Sequence, residues 1–175
     1  NAKEASFTVS DVASRVSVRK PSAPFTTSSL QQEASNKFRM SPKKTMLIAQ
    51  KLYEAGLITY MRTDSTHLAP EAEKEIRDMI QSHYGDAYLP SKPRRYTTKA
   101  KNAQEAHEAI RPVDITRTPD SVRNILSQEL WRLYKLIWER TMSSQMTDAK
   151  TETQTVVFSS DPESLWKCSG SKLIF

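Results

Sequence analysis

The sequence predicts a mainly α fold in which a helical domain is inserted between β-strands contributed by the two ends of the chain. Two observations carry that expectation. Residues 6–20 and 151–175 are rich in Val, Thr and Ser with partial alternation, as strands are, while the stretch between them is punctuated by helix starts and stops. The composition permits it, since 37% of the 175 residues are hydrophobic, enough for a real core at this length. The length suits one domain, or one domain and part of another.

Taken in order, SFTVSDVASRVSVRK (residues 6–20) reads as one or two strands. Ser28 with Gln31 makes a capping-box pattern that opens a helix running to about Phe38. Ser41-Pro42 supplies an N-cap and an N1 proline before Lys43–Glu54, and Gly56 stops that helix. Met46, Ala49, Leu52 and Tyr53 give it an apolar face. Leu57–Tyr60 reads as a short buried strand. Pro70 opens a third helix, with Ala72, Ile76, Met79 and Ile80 inward and Gly85 closing it. Asn102 and Glu105 cap a short helix that must end before Pro112, and Thr118-Pro119 starts another. Ser127 caps the longest helix, roughly Gln128–Gln145, whose stripe of Leu130, Trp131, Leu133, Tyr134, Ile137 and Trp138 is core packing. TETQTVVFSS and LWKCSGSKLIF then read as a strand, a further strand and the start of another. The chain opens on Asn1 and closes on the apolar Leu173-Ile174-Phe175, so the expectation is an intracellular protein cut from a larger one.

Several function classes fall away. No apolar run approaches the roughly 20 residues that a membrane-spanning helix needs. One cysteine, Cys168, builds no disulfide framework, and with the dispersed His67, His83 and His107 it argues against a zinc cluster. The three glycines, Gly56, Gly85 and Gly170, cannot make a Gly-rich phosphate loop. No Asp-x-Asp pair occurs, so no carboxylate magnesium site is visible. The net charge is +6, and Lys92, Arg94, Arg95, Lys99 and Lys101 lie close together with no acid among them. Such a stretch either contacts phosphates or is simply a solvated loop.

Two clusters carry possible chemistry. In GLITYMRTDST, Tyr60 leaves a buried segment with Arg62 two residues on. A phenol attacks only when a cation or base favours its phenolate, and a guanidinium can fork onto two phosphate oxygens. Strand parity would put Tyr60, Arg62 and Asp64 on one face, with Asp64 free to orient Arg62. The same residues also describe a structural tyrosine beside a surface Arg–Asp pair. In AQEAHEAIRP, His107 and Arg111 would be i, i+4 neighbours on a helix, able to donate to a phosphate or shuttle a proton. A capped helix with an internal Glu–Arg pair explains that segment equally well.

These segments together resemble the type IA DNA topoisomerases, the bacterial topoisomerase I family. RKPSAPFTTSSLQQEA (Arg19–Ala34), GLITYMRTDST, AQEAHEAIRP (Ala103–Pro112) and LWRLYKLIWERTMSSQM (Leu130–Met146) occur in the family's order and at similar spacing. The resemblance implies that residues 25–147 are the tyrosine-bearing helical domain, with 1–24 and 148–175 as strands of a partial arch domain. It implies that Tyr60 attacks a single-stranded DNA phosphodiester to form a 5′-phosphotyrosine link, with Arg62 beside the scissile phosphate. Strand passage and religation would then relax negatively supercoiled DNA without ATP. His107, Arg111, Asp64 and Lys99 are the expected DNA-binding and supporting residues. The implied setting is cytoplasmic and nucleoid-associated, with no membrane partner.

The chain departs from the family in lacking counterparts of its Mg2+-binding domain and gate domains, so those are expected partners in the intact enzyme. The fragment alone is expected not to relax DNA. Two rivals remain: a tyrosine recombinase or relaxase, and a noncatalytic DNA-binding helical module.

Overall fold

The computed structural model describes residues 6–96, 108–161 and 164–175. The chain divides into two compact units, one taking residues up to Lys20 together with Asp148–Phe175, the other Pro21–Thr147.

The first unit is a three-stranded antiparallel sheet in the order β1-β2-β3, from β1 (Thr8–Arg19), β2 (Ala149–Asp161) and β3 (Ser164–Leu173). Its register pairs Val12 with Val156 and Val156 with Cys168, and a bulge separates Val9 from Asp11. Cross-strand side chains reinforce the ladders: Thr153 and Thr155 pair their hydroxyls with those of Ser171 and Ser169 at 2.9 Å, and Phe7 meets Trp166 edge to face. The last two residues continue the β3 pairing with Lys150 and start no further strand.

The second unit holds α1 (Thr27–Phe38), α2 (Pro42–Glu54), α3 (Pro70–Tyr84) and α4 (Gln128–Ser144), with a 3-10 turn at Asp86–Tyr88. The caps of α2 and α4 are Ser41 and Ser127, and α3 opens at Pro70 and closes at Gly85. The cap of α1 is Thr26, not Ser28: in a run of four hydroxyl residues, Thr26 and Ser29 are the pair that exchange side-chain and backbone bonds. Helix α4 packs against α1, α2 and α3, and its Leu133, Tyr134 and Ile137 are fully buried.

The expected mainly α fold is corrected to a mixed one, with 38% helix against 24% strand. The described residues hold a three-stranded sheet, the helix expected after Thr118-Pro119 does not form, and the helix expected from Asn102 lies outside the described residues up to residue 107. Residues 108–112 are extended, with Ile110 bridged to Phe25 and Pro112 to Ile58. Pro112 disfavours a helical Arg111, and Ala109 and Ile110 are drawn into the core. The stretch after Thr118-Pro119 forms turns. Its approach is set by α4, whose Trp138, Tyr134 and Trp131 donate to the carbonyls of Ile115, Arg117 and Pro119 at 2.9, 2.5 and 2.8 Å.

Burial pushes the Tyr134 phenol up to about 12. An unfolded chain releases that proton near pH 10, so between about pH 10 and pH 12 the unfolded state binds fewer protons and stability falls as pH rises. This contribution is whole below about pH 10 and gone above about pH 12. Urea unfolding across that range should show a steeper loss in the natural chain than in Tyr134→Phe. Equal slopes would mean the phenol is not held protonated.

Candidate active site

The site begins where α2 ends. Leu57 N–H reaches the Leu52 carbonyl at 2.9 Å and Gly56 N–H the Tyr53 carbonyl at 2.8 Å, closing the helix while Gly56 turns the chain at φ 67°. The chain then runs through residues 57–69 with no strand ladder of its own, apart from the isolated Ile58 bridge.

Two threonines supply what a ladder would. Thr59 pairs its N–H with the Arg111 carbonyl at 2.9 Å, while its hydroxyl donates to the Ala109 carbonyl at 2.7 Å and accepts Arg111 N–H at 3.0 Å. Thr27, the first residue of α1, makes the same pattern around Thr63: its hydroxyl accepts Thr63 N–H at 2.9 Å and donates to the Met61 carbonyl at 2.8 Å. Further on, Ala109 N–H reaches the His67 carbonyl, and Glu108 Oε1 accepts Ala69 N–H at 2.8 Å. Ala69 is the N-cap of α3 and has no side-chain cap of its own, so Glu108 fixes the place where that helix starts.

Side chains alternate along this segment. Met61 and Ser65 are buried, whereas Tyr60, Arg62 and Asp64 are exposed. Tyr60 is 46% exposed and meets the Tyr53 ring edge to face, with centroids 5.3 Å apart. Arg62 lines a groove of about 570 Å³ with Ser41, Lys43, Lys44, Met46 and Met61. Arg62 and Asp64 form no ion pair with each other among the described residues, so nothing there shows Asp64 orienting Arg62.

Arg111 is placed differently. Its Nε and Nη2 donate to the two carboxylate oxygens of Glu108 at 3.2 and 2.8 Å, and its Nη1 donates to the Pro112 carbonyl at 2.9 Å. The guanidinium is largely covered and serves as an internal clasp. His107 and Lys99 lie outside the described residues, as does Lys101. From the basic stretch, Lys92 and Arg95 are exposed, while Arg94 is stapled to the end of α4: Gln145 Oε1 accepts its N–H at 3.0 Å and Gln145 Nε2 donates to its carbonyl at 2.9 Å. Thr27 and Gln145 carry no sequence signal that marks them out, whereas the internal Glu–Arg reading of AQEAHEAIRP does point to the Glu108–Arg111 pair, though not to its bond with Ala69 N–H. Thr27 and Gln145 are defined by partners that only the fold brings near.

A family model described as DNA topoisomerase matches residues 1–175. DNA topoisomerase 1 of Xylella fastidiosa is 49% identical over 175 residues, covering 95% of this chain and 22% of that protein. DNA topoisomerase 1 of Rickettsia felis is 48% identical over 182 residues, covering 99% of this chain and 24% of its own. The chain belongs to the bacterial DNA topoisomerase I family. It spans about a quarter of the length of those curated relatives. The structure titled full-length topoisomerase I from Thermotoga maritima superposes with a TM-score of 0.80 at 36% identity, covering 97% of this chain and 28% of that one. Membership of the topoisomerase family leaves the recombinase and relaxase readings without support.

Among the described residues, no group of three or more His, Cys, Asp or Glu is placed to hold a metal ion, and no helix is long and apolar enough to cross a membrane. The described residues therefore offer no donor set for the expected Mg2+.

The Glu108 clasp is open to test. Glu108→Gln strands a covered guanidinium and weakens the α3 start, and should cost about 2 kcal/mol in urea unfolding. A loss below about 0.5 kcal/mol, the size of an exposed pair, would show that the clasp does not hold the segment.

Proposed function

We propose that this chain is the tyrosine-bearing part of a type IA DNA topoisomerase and that Tyr60 is its nucleophile. The observation that carries the reading is the exposed Tyr60 with Arg62 exposed two residues on, displayed from a hydrogen-bonded segment in a chain whose whole length matches the DNA topoisomerase family.

In the proposed step, Tyr60 Oη attacks the phosphorus of a single-stranded DNA phosphodiester and gives up its proton. The bond from phosphorus to the 3′ oxygen breaks, that oxygen takes a proton, and the 5′ phosphate stays on the tyrosine. Atoms balance without an external energy source, because one phosphodiester replaces another. The freed 3′ hydroxyl can attack the phosphotyrosine and restore the strand after another has passed through the gap. Arg62 presents a charged fork to the phosphate oxygens, where negative charge grows in the transition state. The open groove beside it leaves room for the substrate.

Residues 25–147 are read as the tyrosine-bearing domain and the flanking strands, residues 1–24 and 148–175, as part of an arch domain. Relaxation of negatively supercoiled DNA is assigned to the intact enzyme, together with the Mg2+ site and the gate domains, in a cytoplasmic, nucleoid-associated setting. His107, Asp64 and Lys99 are proposed to support DNA binding. Arg111 is proposed to act through the backbone it holds.

The test uses the intact enzyme and a single-stranded oligonucleotide labelled at one end. A 3′ label should follow the protein into a covalent adduct and a 5′ label should not. Tyr60→Phe should abolish the adduct while binding the same oligonucleotide within about threefold, since a lone hydroxyl adds little to a phosphate-dominated affinity. An adduct that survives Tyr60→Phe, or one that carries the 5′ label, refutes the assignment.

A further inference from the structure

The peptide groups on both sides of Arg62 are gripped by one side chain from another element. Thr27 Oγ1 lies 2.8 Å from the Met61 carbonyl and 3.1 Å from the Thr63 carbonyl, and accepts Thr63 N–H at 2.9 Å. Thr27 N–H, one of the donors left open at the start of α1, adds a fourth tie to the Thr63 carbonyl at 2.9 Å. Below this grip Met61 is 5% exposed and packed in the core, so the short backbone from Tyr60 to Thr63 is held from two sides.

We propose that Thr27 is a positioning residue for strand cleavage: its hydroxyl sets the direction in which Arg62 and Tyr60 leave the surface. The proposal rests on the reading of Tyr60 as the nucleophile. Its physical basis is the steep dependence of a reaction on placement, since a misplacement of about 1 Å can cost on the order of 100-fold in rate. Valine at position 27 keeps the shape of threonine but has no hydroxyl. The Thr63 N–H and the Met61 carbonyl would then need water or a backbone shift to find partners. Serine keeps the donor and acceptor and loses only a methyl group.

The experiment compares Thr27→Val, Thr27→Ser and Tyr60→Phe in the intact enzyme. It reads single-turnover cleavage of an oligonucleotide at saturation, below the melting temperature of every variant, and oligonucleotide affinity separately. Thr27→Val should cleave about 10- to 100-fold more slowly with affinity changed less than about threefold, and Thr27→Ser should stay within about threefold of the natural enzyme. A purely structural threonine would lower the melting temperature and leave the rate of the folded enzyme alone. Should Thr27→Val not fold, Thr27→Cys, a weak donor on a longer bond, should cleave at an intermediate rate. Natural cleavage rates in Thr27→Val, or in Thr27→Cys where it stands in, overturn the proposal, as does a Thr27→Ser enzyme as slow as Thr27→Val. Tyr60→Phe separates the two levels. An adduct surviving there refutes the nucleophile itself, whereas a dead Tyr60→Phe beside a fast Thr27→Val refutes only the positioning role.

Discussion

The helical unit turns on one constraint: residues 57–69 run across it without a helix or ladder of their own, yet their covered peptide groups must be paired. Threonine hydroxyls resolve this, because a hydroxyl can accept from one peptide and donate to another at once. Thr59 does so toward residues 109–111 and Thr27 toward residues 61–63. The start of α1, the end of α2, the start of α3 and the extended strip at 108–113 are all stitched to the same short stretch of backbone. Each element supplies a bond that another needs.

This stitching decides which charges face outward. Arg62 lies in the alternating segment, where the inward place is taken by Met61, so its guanidinium remains exposed along an open groove. Arg111 follows the extended strip inward and spends its donors on Glu108 and a carbonyl. Two arginines that look equally suited to a phosphate thus divide the work. One presents charge, and the other builds the surface from which charge is presented. A covered bidentate pair is costly to break, so Arg111 is poorly suited to switch between clasp and phosphate.

Much of the helical unit was legible because its signals are local. Ser41-Pro42 and Gly56 bound α2, Pro70 and Gly85 bound α3, and Ser127 opens α4, signals carried by the residues at the helix ends themselves. Local signals also misled. Four hydroxyl residues in a row offered several caps for α1, and Thr26 took the role. The segment leading into the turns after Thr118 is held by α4 aromatics 12 to 23 residues away, which no local pattern encodes. The mainly α expectation gave too much weight to a helix at residue 118 and too little to the sheet that residues 8–19 and 149–173 build. For the site, parity gave Tyr60, Arg62 and Asp64 a common side, and the alternation of exposed and buried residues there agrees with it although the segment forms no ladder. The Glu108–Arg111 pair was one of the two readings the sequence left open, while the bond from Glu108 to α3 and the Thr27 grip were invisible, since a threonine bonded 36 residues away reads like any other.

The most direct measurement of the hydroxyl stitching is amide hydrogen exchange across residues 57–69 and 108–113. Thr63 and Arg111 donate their N–H groups to threonine hydroxyls, and Thr59 donates to a carbonyl of the facing strip. If those bonds hold the segment, the three amides should exchange as slowly as amides inside α4 and be released together with them on global unfolding. Exchange of Thr63 and Arg111 at the rate of an open loop, while α4 stays protected, would contradict the account.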